Sequence, residues 1–441
     1  MGINKVDQKS FRYKLLWNTI KFWHELYYHQ KIEITNQDRV PAEGAIVFTP
    51  NHQNALMDAL ALLFSVKRTV VFLARADIFK KKSVAEILYF LRILPVYRPR
   101  DGQGEVKKNL ETFKKTSEVL QKNLGITIFP EGTHTDKQSL LPLKKGFAKI
   151  AMQTEEANDF KLGIQLIPVG ISYSNYTQCQ STLSINFGHP IHLADYYEEY
   201  KKKPAIALNQ IRDKMSESLK ENMIHIEDDE NYNAVEYLMT AYAKEIPFPQ
   251  KGTSRILVGQ VFLNKLESLS ESQSEKFEEL IKNTNDFLKL SSKFNKRQKA
   301  LWPKYSITKL LLNTLRFIIL LPLLLPSALL HLPTQLLSHL PSKFIGDEQF
   351  HSTFRFVLAF IILPITFTIE AILLNIFYDD FSLFYFFIAY SISLIFILLN
   401  VNWLRNYYGI FKIFIFKMFN SKKAEGIEKL INSIKLLIQE L

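Results

Sequence analysis

Three long stretches without charge in the last third of the chain limit what it can fold into. Residues 317–341 and 381–404 contain no Asp, Glu, Lys or Arg, and residues 356–378 contain only Glu370. A helix of about 20 apolar residues crosses a hydrocarbon layer of roughly 30 Å, so each stretch is long enough to do so. The core of a soluble domain does not need three such stretches in succession. We therefore predict an integral membrane protein whose anchor, residues 306–405, is built from two or three hydrophobic segments.

The charges that flank the anchor favour an even number of crossings. Lys and Arg side chains, with no acidic residues, occupy residues 297–309 before it and residues 405–423 after it. Because Lys and Arg concentrate on the cytoplasmic side, three crossings would place one basic flank on the wrong side. Pro322, Pro326 and Pro333 interrupt the first stretch, so we expect it to enter and leave on one face as a re-entrant or interfacial hairpin. The other two stretches would then form a transmembrane hairpin.

The two ends of the chain have the patterns of amphipathic helices. Residues 1–30 include a stretch rich in Trp, Phe, Tyr and Lys, with apolar residues at near-helical spacing. We predict a membrane-associated helix there, because indole and phenol rings favour the headgroup layer. A helix packed on the protein's own core is the alternative. Residues 406–441 form an amphipathic tail whose apolar face docks on protein or on membrane.

The segment between residues 31 and 205 alternates short apolar runs with longer mixed segments. Five runs have the length and composition of strands: residues 45–49, 69–74, 125–129, 166–171 and 182–187. Helical patterns separate them, which predicts an α/β fold with a central, largely parallel sheet and flanking helices. Residues 206–305 are polar and helix-prone, so we predict a helical extension between this domain and the anchor.

The charge of the chain favours anionic partners. The net charge is +12, from 55 basic and 43 acidic residues, and 14 basic against 6 acidic residues lie between Ser65 and Gly125. Phospholipid headgroups, phosphorylated metabolites and nucleic acid are all anionic. No nucleic-acid motif accompanies the charge, so we expect no nucleic-acid partner. Cys179 is the only cysteine in the sequence, which excludes an internal disulfide framework and a multi-thiolate zinc site.

A histidine and an aspartate follow the first predicted strand. The sequence of residues 50–58 is Pro-Asn-His-Gln-Asn-Ala-Leu-Met-Asp, which places His52 and Asp58 six positions apart. A histidine accepts a hydroxyl proton well when a carboxylate holds its other ring nitrogen and stabilises the imidazolium. Six positions on one regular helix turn two side chains roughly 120° apart, because each residue turns about 100°. The pair therefore requires His52 in the turn before a helix and Asp58 within its first turns.

Three further motifs follow in order along the chain. They are Leu94-Pro95-Val96-Tyr97-Arg98, Phe129-Pro130-Glu131-Gly132-Thr133 and the Ile-Pro-Val-Gly run of residues 167–170. Together with the His52 motif, their order and spacing resemble the four blocks of the glycerolipid acyltransferase family, which includes lysophosphatidic acid and glycerol-3-phosphate acyltransferases. The resemblance covers residues 48–172. Five residues separate His52 from Asp58 where the family usually has four, and this resembles a branch that includes fungal glycerol-3-phosphate acyltransferases.

The resemblance implies a function for each of these motifs. His52 would deprotonate the acceptor hydroxyl, with Asp58 as its orienting partner, and the hydroxyl would attack the thioester carbonyl of an acyl donor. Acceptor binding, or a position near it, is implied for five more residues: Arg75, Arg98, Glu131, Gly132 and Thr133. A guanidinium suits a phosphate because its planar donors form charge-assisted hydrogen bonds, and free backbone amides after a strand also hold phosphate oxygens. For Arg75 and Arg98, a plain surface charge is the alternative.

We therefore expect a membrane-bound O-acyltransferase of phospholipid synthesis. The expected donor is acyl-CoA or acyl carrier protein. The expected acceptor is 1-acylglycerol 3-phosphate, with glycerol 3-phosphate or dihydroxyacetone phosphate as the alternative, and no metal or bound cofactor is implied. A rival from another class is a non-catalytic lipid-binding membrane protein, against which the intact His52 and Asp58 argue. Because thioester donors are made in the cytoplasm, we expect the catalytic domain on the cytoplasmic face.

Overall fold

The chain forms two compact units. The computed structural model describes residues 6–8, 10–97, 109–135, 137–245 and 253–440. The first unit takes its described residues from Met1–His225, Ser254–Ile256 and Glu348–Thr353. The second unit takes them from Ile226–Thr253, Leu257–Asp347 and Phe354–Leu441. The first unit therefore includes two short segments from much later in the chain.

A single sheet forms the centre of the first unit. Among the described residues its strands are β1 (His29–Thr35), β2 (Ile46–Pro50), β3 (Val70–Arg75), β4 (Ile93–Val96), β5 (Gly125–Thr127), β6 (Gln165–Tyr173), β7 (Ser181–Phe187) and β8 (Ile191–His192). The spatial order is β1-β7-β6-β2-β5-β3-β4, with β8 beside β6. All neighbours are parallel except that β6 pairs with β7 and β8 in antiparallel fashion. The predicted largely parallel sheet is confirmed.

Helices flank this sheet, as predicted. They are α1 (Phe11–Trp23), α2 (Leu56–Ser65), α3 (Lys82–Phe90), α4 (Asn109–Gln121), α5 (Gly146–Glu156), α6 (Tyr197–Lys202) and α7 (Pro204–Asn222). Every residue of β2 is buried, because helices cover both faces of a parallel sheet. The predicted domain border at residue 205 precedes most of α7, whose buried Ile211, Met215 and Leu219 join the core of the first unit.

Helix α1 uses two faces differently. The rings of Tyr13 and Trp17 pack edge-on against Phe90 and Phe64 of the first unit. Another stripe of the helix stays exposed, and it consists of Phe11, Leu15 and Phe22. One face of α1 thus packs on the protein, as the alternative prediction has it. The exposed apolar stripe is free to contact a membrane, as the first prediction requires.

The second unit is helical. Its helices are α8 (Tyr232–Tyr242), α9 (Arg255–Ser272, which begins in the first unit), α10 (Ser274–Leu290), α11 (Lys296–Leu301), α12 (Ile307–His339), α13 (His351–Phe377), α14 (Leu383–Phe419) and α15 (Ser421–Gln439). Three segments are long and apolar enough to cross a membrane: Ile307–Ser342, Glu348–Phe377 and Leu383–Phe419. The tail helix α15 packs along α10, where Asn283 donates to Ser433 at 2.9 Å. The apolar face of the tail therefore docks on protein.

Helix α12 has the inverted polarity of a membrane helix. Its buried face carries Ser327, His331, Thr334 and Ser338, whereas its exposed face is rich in leucine. The buried groups bond to the neighbouring helices, with His331 Nε2 at 2.8 Å from the hydroxyl of Ser393 and the hydroxyls of Thr334 and Thr366 at 2.7 Å. Polar contacts between helices and apolar faces outside are what a lipid environment favours.

The predicted hairpin within the first apolar stretch is wrong. Helix α12 continues without a break across Pro322, Pro326 and Pro333. Each proline removes one backbone donor, but a helix in an apolar environment keeps its other hydrogen bonds and accommodates the loss locally. The prolines alone were therefore insufficient grounds for a reversal of the chain.

Candidate active site

The predicted contact between His52 and Asp58 is confirmed. Strand β2 ends at Pro50 and α2 begins at Leu56, so His52 lies in the connecting turn and Asp58 in the first turn of the helix. His52 Nδ1 is 2.9 Å from Asp58 Oδ2. This arrangement is the one that a spacing of six positions requires. The second ring nitrogen of His52, Nε2, is left for a substrate hydroxyl.

Backbone amides fix the carboxylate of Asp58. The side chain is fully buried, and its Oδ2 accepts the backbone N–H groups of Gln53 at 2.7 Å and Asn54 at 2.6 Å. Ala55, between the turn and the helix, has a backbone φ of +43°, a strained conformation for a residue other than glycine. The sharp bend at Ala55 lets the first turn of α2 fold back against the turn that carries His52.

Aromatic rings hold the imidazole of His52 on two sides. The ring stacks on Phe129 with the centroids 4.1 Å apart, and the ring of His134 lies edge-on with the centroids 5.2 Å apart. Phe129 and His134 belong to the motif that follows β5. Because β2 and β5 are adjacent and parallel, the segments after both strands meet at the same edge of the sheet.

Glu131 joins the two motif loops. The side chain is buried, and its Oε1 accepts the backbone N–H of His52 at 2.5 Å while Oε2 accepts that of Leu141 at 2.9 Å. Burial, reinforced by the nearby charge of Asp58 and opposed by the two N–H donors, raises the pKa of Glu131 to about 8. Both oxygens of this predicted acceptor-binding residue thus bond to the protein's own backbone.

We expect Glu131→Gln to lower kcat with little change in the KM for the acceptor. The NH2 group of the new glutamine would face one of the two backbone N–H groups that Glu131 now accepts. That buried N–H would lose its acceptor, which costs about 1–3 kcal/mol, or roughly 10- to 100-fold in rate. Steady-state kinetics with the acceptor varied would measure both constants. A rise in the acceptor KM at unchanged kcat would instead assign Glu131 to acceptor binding.

The remaining predicted site residues have different surroundings. Gly132 has a φ of +68°, which favours glycine, and Thr133 is exposed beside it. Arg75 lies at the carboxyl end of β3, and its guanidinium pairs with Asp77. Arg98 lies outside the described residues. Gly132 and Thr133 are thus open to a ligand at the loop surface, whereas Arg75 is already paired with a carboxylate.

A glycine of the last motif has a packing function. A Cβ added to Gly170 would lie 1.8 Å from the backbone carbonyl oxygen of Asn222, at the end of α7. Only glycine lets the helix end approach β6 this closely. The Ile-Pro-Val-Gly run therefore contributes a helix–strand contact.

A segment from much later in the chain also reaches this site, and no sequence pattern predicted it. In Glu348–Thr353, Gln349 contacts Nδ1 of His134, and Phe350 lies edge-on to the same imidazole at 4.8 Å. Ser352 is fully buried and donates a hydrogen bond to the side-chain carbonyl of Asn54. His134 contacts His52 and Asn54 contacts Asp58, so the segment packs against the immediate neighbours of these two residues. Its only sequence signal is a polar interruption between two apolar stretches.

The side chain of Asn51, in the His52 motif, forms hydrogen bonds that link the turn to strand β6. Its side-chain carbonyl accepts the N–H of Ile171 at 2.6 Å, and its amide donates to the carbonyl of the same residue at 3.1 Å. The pair of bonds mimics a strand partner for β6. Position 51, directly before His52, was therefore a missed positioning residue.

Comparison with known proteins finds relatives of the domain that contains this site. Residues 31–172 match the family model named Acyltransferase. Over 112 residues the chain is 32% identical to glycerol-3-phosphate O-acyltransferase 2 of Saccharomyces cerevisiae. This aligned region covers 25% of this chain and 15% of the yeast protein. Over 205 residues it is 23% identical to the chloroplastic 1-acyl-sn-glycerol-3-phosphate acyltransferase BAT2 of Brassica napus, covering 46% and 54%. Over 157 residues it is 25% identical to 1-acyl-sn-glycerol-3-phosphate acyltransferase beta of Homo sapiens, covering 35% and 51%.

These similarities agree on the family and differ on the acceptor. Each matched region is less than two thirds of the relative's own length. The relatives named for glycerol 3-phosphate and those named for 1-acylglycerol 3-phosphate share one domain with this chain, and that domain contains His52, Asp58 and Glu131. Residues 31–172 therefore form an acyltransferase domain that is similar to the domain of glycerolipid acyltransferases.

Proposed function

We propose that this chain transfers a fatty acyl group from a thioester donor, acyl-CoA or acyl carrier protein, to 1-acylglycerol 3-phosphate in phospholipid synthesis. The observation that carries the proposal is the contact between His52 Nδ1 and Asp58 Oδ2 at the carboxyl end of β2. The pair has the geometry of a general base with an orienting carboxylate. A protein that only bound lipid would not need it.

The proposed reaction proceeds in a single displacement through a tetrahedral intermediate. His52 Nε2 takes the proton of the acceptor hydroxyl as its oxygen attacks the thioester carbonyl carbon. The carboxylate of Asp58 stabilises the imidazolium that forms. Collapse of the intermediate breaks the carbon–sulfur bond, and the imidazolium returns its proton to the leaving thiolate. The step needs neither a metal nor a bound cofactor, and it forms no acyl-enzyme.

Glycerol 3-phosphate is the second candidate acceptor. It is favoured by the five residues between His52 and Asp58 and by the 32% identity to the yeast enzyme named for that acceptor. Dihydroxyacetone phosphate belongs to the same group of small acceptors. The purified full-length protein should be incubated with labelled acyl-CoA and a panel of phosphorylated and unphosphorylated acceptors. Labelled phosphatidic acid from 1-acylglycerol 3-phosphate is the expected product, and transfer to no phosphorylated acceptor would refute the proposal.

We expect Arg98→Ala to raise the KM for the acceptor more than the KM for the donor. A phosphate oxyanion would lose a charge-assisted partner, worth about 1.5–3 kcal/mol, or roughly 10- to 100-fold in affinity. Varying each substrate at a fixed saturating level of the other gives both constants. If only the donor constant rises, Arg98 binds the other substrate.

The course of the chain supports an even number of membrane crossings with both ends of the anchor on one side. Ser254–Ile256 and Glu348–Thr353 belong to one compact unit, and Ile307–Ser342 is the one candidate span in the fully described segment between them. A complete crossing there would put the two segments on opposite sides. Helix α15 packs on α10, and no candidate span lies in the described residues from Ile256 to α10. We propose that α12 lies along the cytoplasmic face without crossing and that α13 and α14 cross outward and back.

Single cysteines should locate these loops. Ser306, Gly346, Ser382 and Ser421 would each be replaced by cysteine in a Cys179→Ser background and labelled in intact cells with a membrane-impermeant reagent. The cysteine replacing Ser382 should react before lysis, and the other three only after it, because basic flanks favour the cytoplasm. Labelling of the Gly346→Cys variant in intact cells would show that α12 crosses. Absence of labelling at position 382 would show that α13 and α14 do not.

A further inference from the structure

A cavity lies away from the catalytic pair, between α1 and the carboxyl end of α2. Its volume is about 730 Å³, which lies within the range of roughly 300–1,000 Å³ for small-molecule sites. Asp58 is in the first turn of α2, whereas Ser65 and Val66 at the other end of the helix line the cavity. Asp58 and Ser65 are seven positions apart on the helix, a rise of about 10 Å. The cavity is therefore distinct from the catalytic site.

Cations dominate the polar part of the lining. Among the described residues around it, the lining includes five basic side chains and no carboxylate: Lys14, Lys21, Lys67, Arg68 and Arg92. A cavity with this charge attracts an anion and offers no partner to a cation.

The two arginines are held in place by neutral groups. The guanidinium of Arg68 donates to the backbone carbonyl of Gly44 at 2.6 Å, and that of Arg92 lies 4.2 Å from the ring centroid of Tyr13. Arg92 is only 8% exposed. The carboxylate of Asp7 forms its ion pair with Lys115, at 2.8 Å, and also attracts Arg92 through space. Arg92 thus keeps its positive charge in a buried position beside the cavity, whereas Arg68 is only partly buried.

The lysines at the rim differ in their partners. Lys21 lies 3.5 Å from Glu25. Lys14 and Lys67 are exposed, and within the described part of the chain neither ammonium group has an acceptor. These two side chains are therefore available to a phosphate.

The apolar part of the cavity continues onto the exposed apolar stripe of α1. Trp17, Leu63 and Phe64 line the cavity, and Phe11 extends from it to the exposed surface. On the same stripe as Phe11, Leu15 and Phe22 are 58% and 64% exposed. A ligand that joins a phosphate to an acyl chain would match both parts.

We propose that this cavity binds an anionic phospholipid as a non-catalytic site. The phosphate lies between Lys14 and Lys67 above Arg92, and the acyl chains follow α1 along Phe11, Leu15 and Phe22. Charge complementarity selects an anionic headgroup, and the continuous apolar stripe selects a lipid over a free phosphate. The site would hold the amino-terminal helix to the bilayer while the catalytic edge of the sheet stays free.

The test is a titration of the purified full-length protein in neutral detergent with dihexanoyl phosphatidylglycerol. Tryptophan fluorescence reports binding, because Trp17 lines the cavity, and Trp17→Phe provides the baseline. The double substitution Lys14→Ala with Lys67→Ala should raise the Kd about 25-fold, or about fivefold for each cation near a lipid phosphate. A matched control, Lys149→Ala with Lys202→Ala, removes two exposed lysines elsewhere in the first unit and should leave the Kd nearly unchanged.

The competitors separate the sources of phosphate. Dihexanoyl phosphatidylcholine should bind poorly, and glycerol 3-phosphate and CoA should not displace the lipid. The proposal is overturned if the control variant loses as much affinity as the double variant, if phosphatidylcholine binds equally, or if CoA competes at the concentration of the lipid. Acyl transfer is assayed separately on the same samples. Normal transfer without saturable lipid binding would overturn this site alone and leave the proposed reaction intact.

Discussion

Replacing His52 with alanine should lower acyl transfer by about 100- to 10,000-fold, the range that general-base catalysis contributes. The fold should persist, because the ring is partly exposed and the turn is held by bonds from Asn51 and to Glu131 that do not involve the imidazole. The measurement is the initial rate of transfer from labelled acyl-CoA by the purified variant. Unchanged membrane association and an unchanged Tm would exclude a general loss of structure.

His189→Ala is the matched control for this variant. His189 is exposed in the segment between β7 and β8, outside the loops after β2 and β5 that contain His52 and Glu131. Its loss should not change the rate. Near-normal activity of the His52 variant would rule out the mechanism proposed above.

Asp58→Asn should reduce the rate by a comparable factor, about 100- to 10,000-fold, because an orienting carboxylate sets both the tautomer of the base and the stability of the imidazolium. The Oδ2 atom meets three donors, His52 Nδ1 and the amides of Gln53 and Asn54. A neutral amide oxygen in the place of Oδ2 accepts these bonds more weakly than a carboxylate and has no charge to stabilise the imidazolium. The pH dependence of the rate should change as well, which a purely structural residue would not cause.

Asp58→Glu is the companion variant. It keeps the negative charge but moves the oxygens by one methylene in a fully buried position. We expect part of the activity to return relative to Asp58→Asn if charge is the main contribution. Equal activity of the wild type and the asparagine variant would contradict the orienting role.

The local part of the site was accessible from the sequence. The spacing of His52 and Asp58 required a turn and then a helix start, and α2 begins at Leu56 between them. Likewise, the motif after β5 had to meet the motif after β2 once the sheet was parallel. The amide bonds to Asp58 and the two backbone bonds of Glu131 were not predictable, because they depend on the path of the loops in three dimensions.

The same limit explains the strands that were missed. Strand β4 has four residues and includes Pro95, and β8 has two residues, so neither has a periodicity to detect. Strand β1 has polar residues at alternate positions and lies at the edge of the sheet, where one side of the strand is solvated. Such strands form because an adjacent strand is present to make backbone hydrogen bonds with them.

Sequence alone determined the apolar stretches, the alternation of strands and helices and the spacing of the catalytic pair, because each is a pattern of hydrophobicity or position within a few turns of chain. Tertiary structure decided that Pro322, Pro326 and Pro333 lie within one helix and that the tail docks on α10. It also decided that Glu348–Thr353, about 300 residues after His52, packs behind the catalytic pair. Contacts at that separation arise from the packing of whole elements, and no local periodicity encodes them.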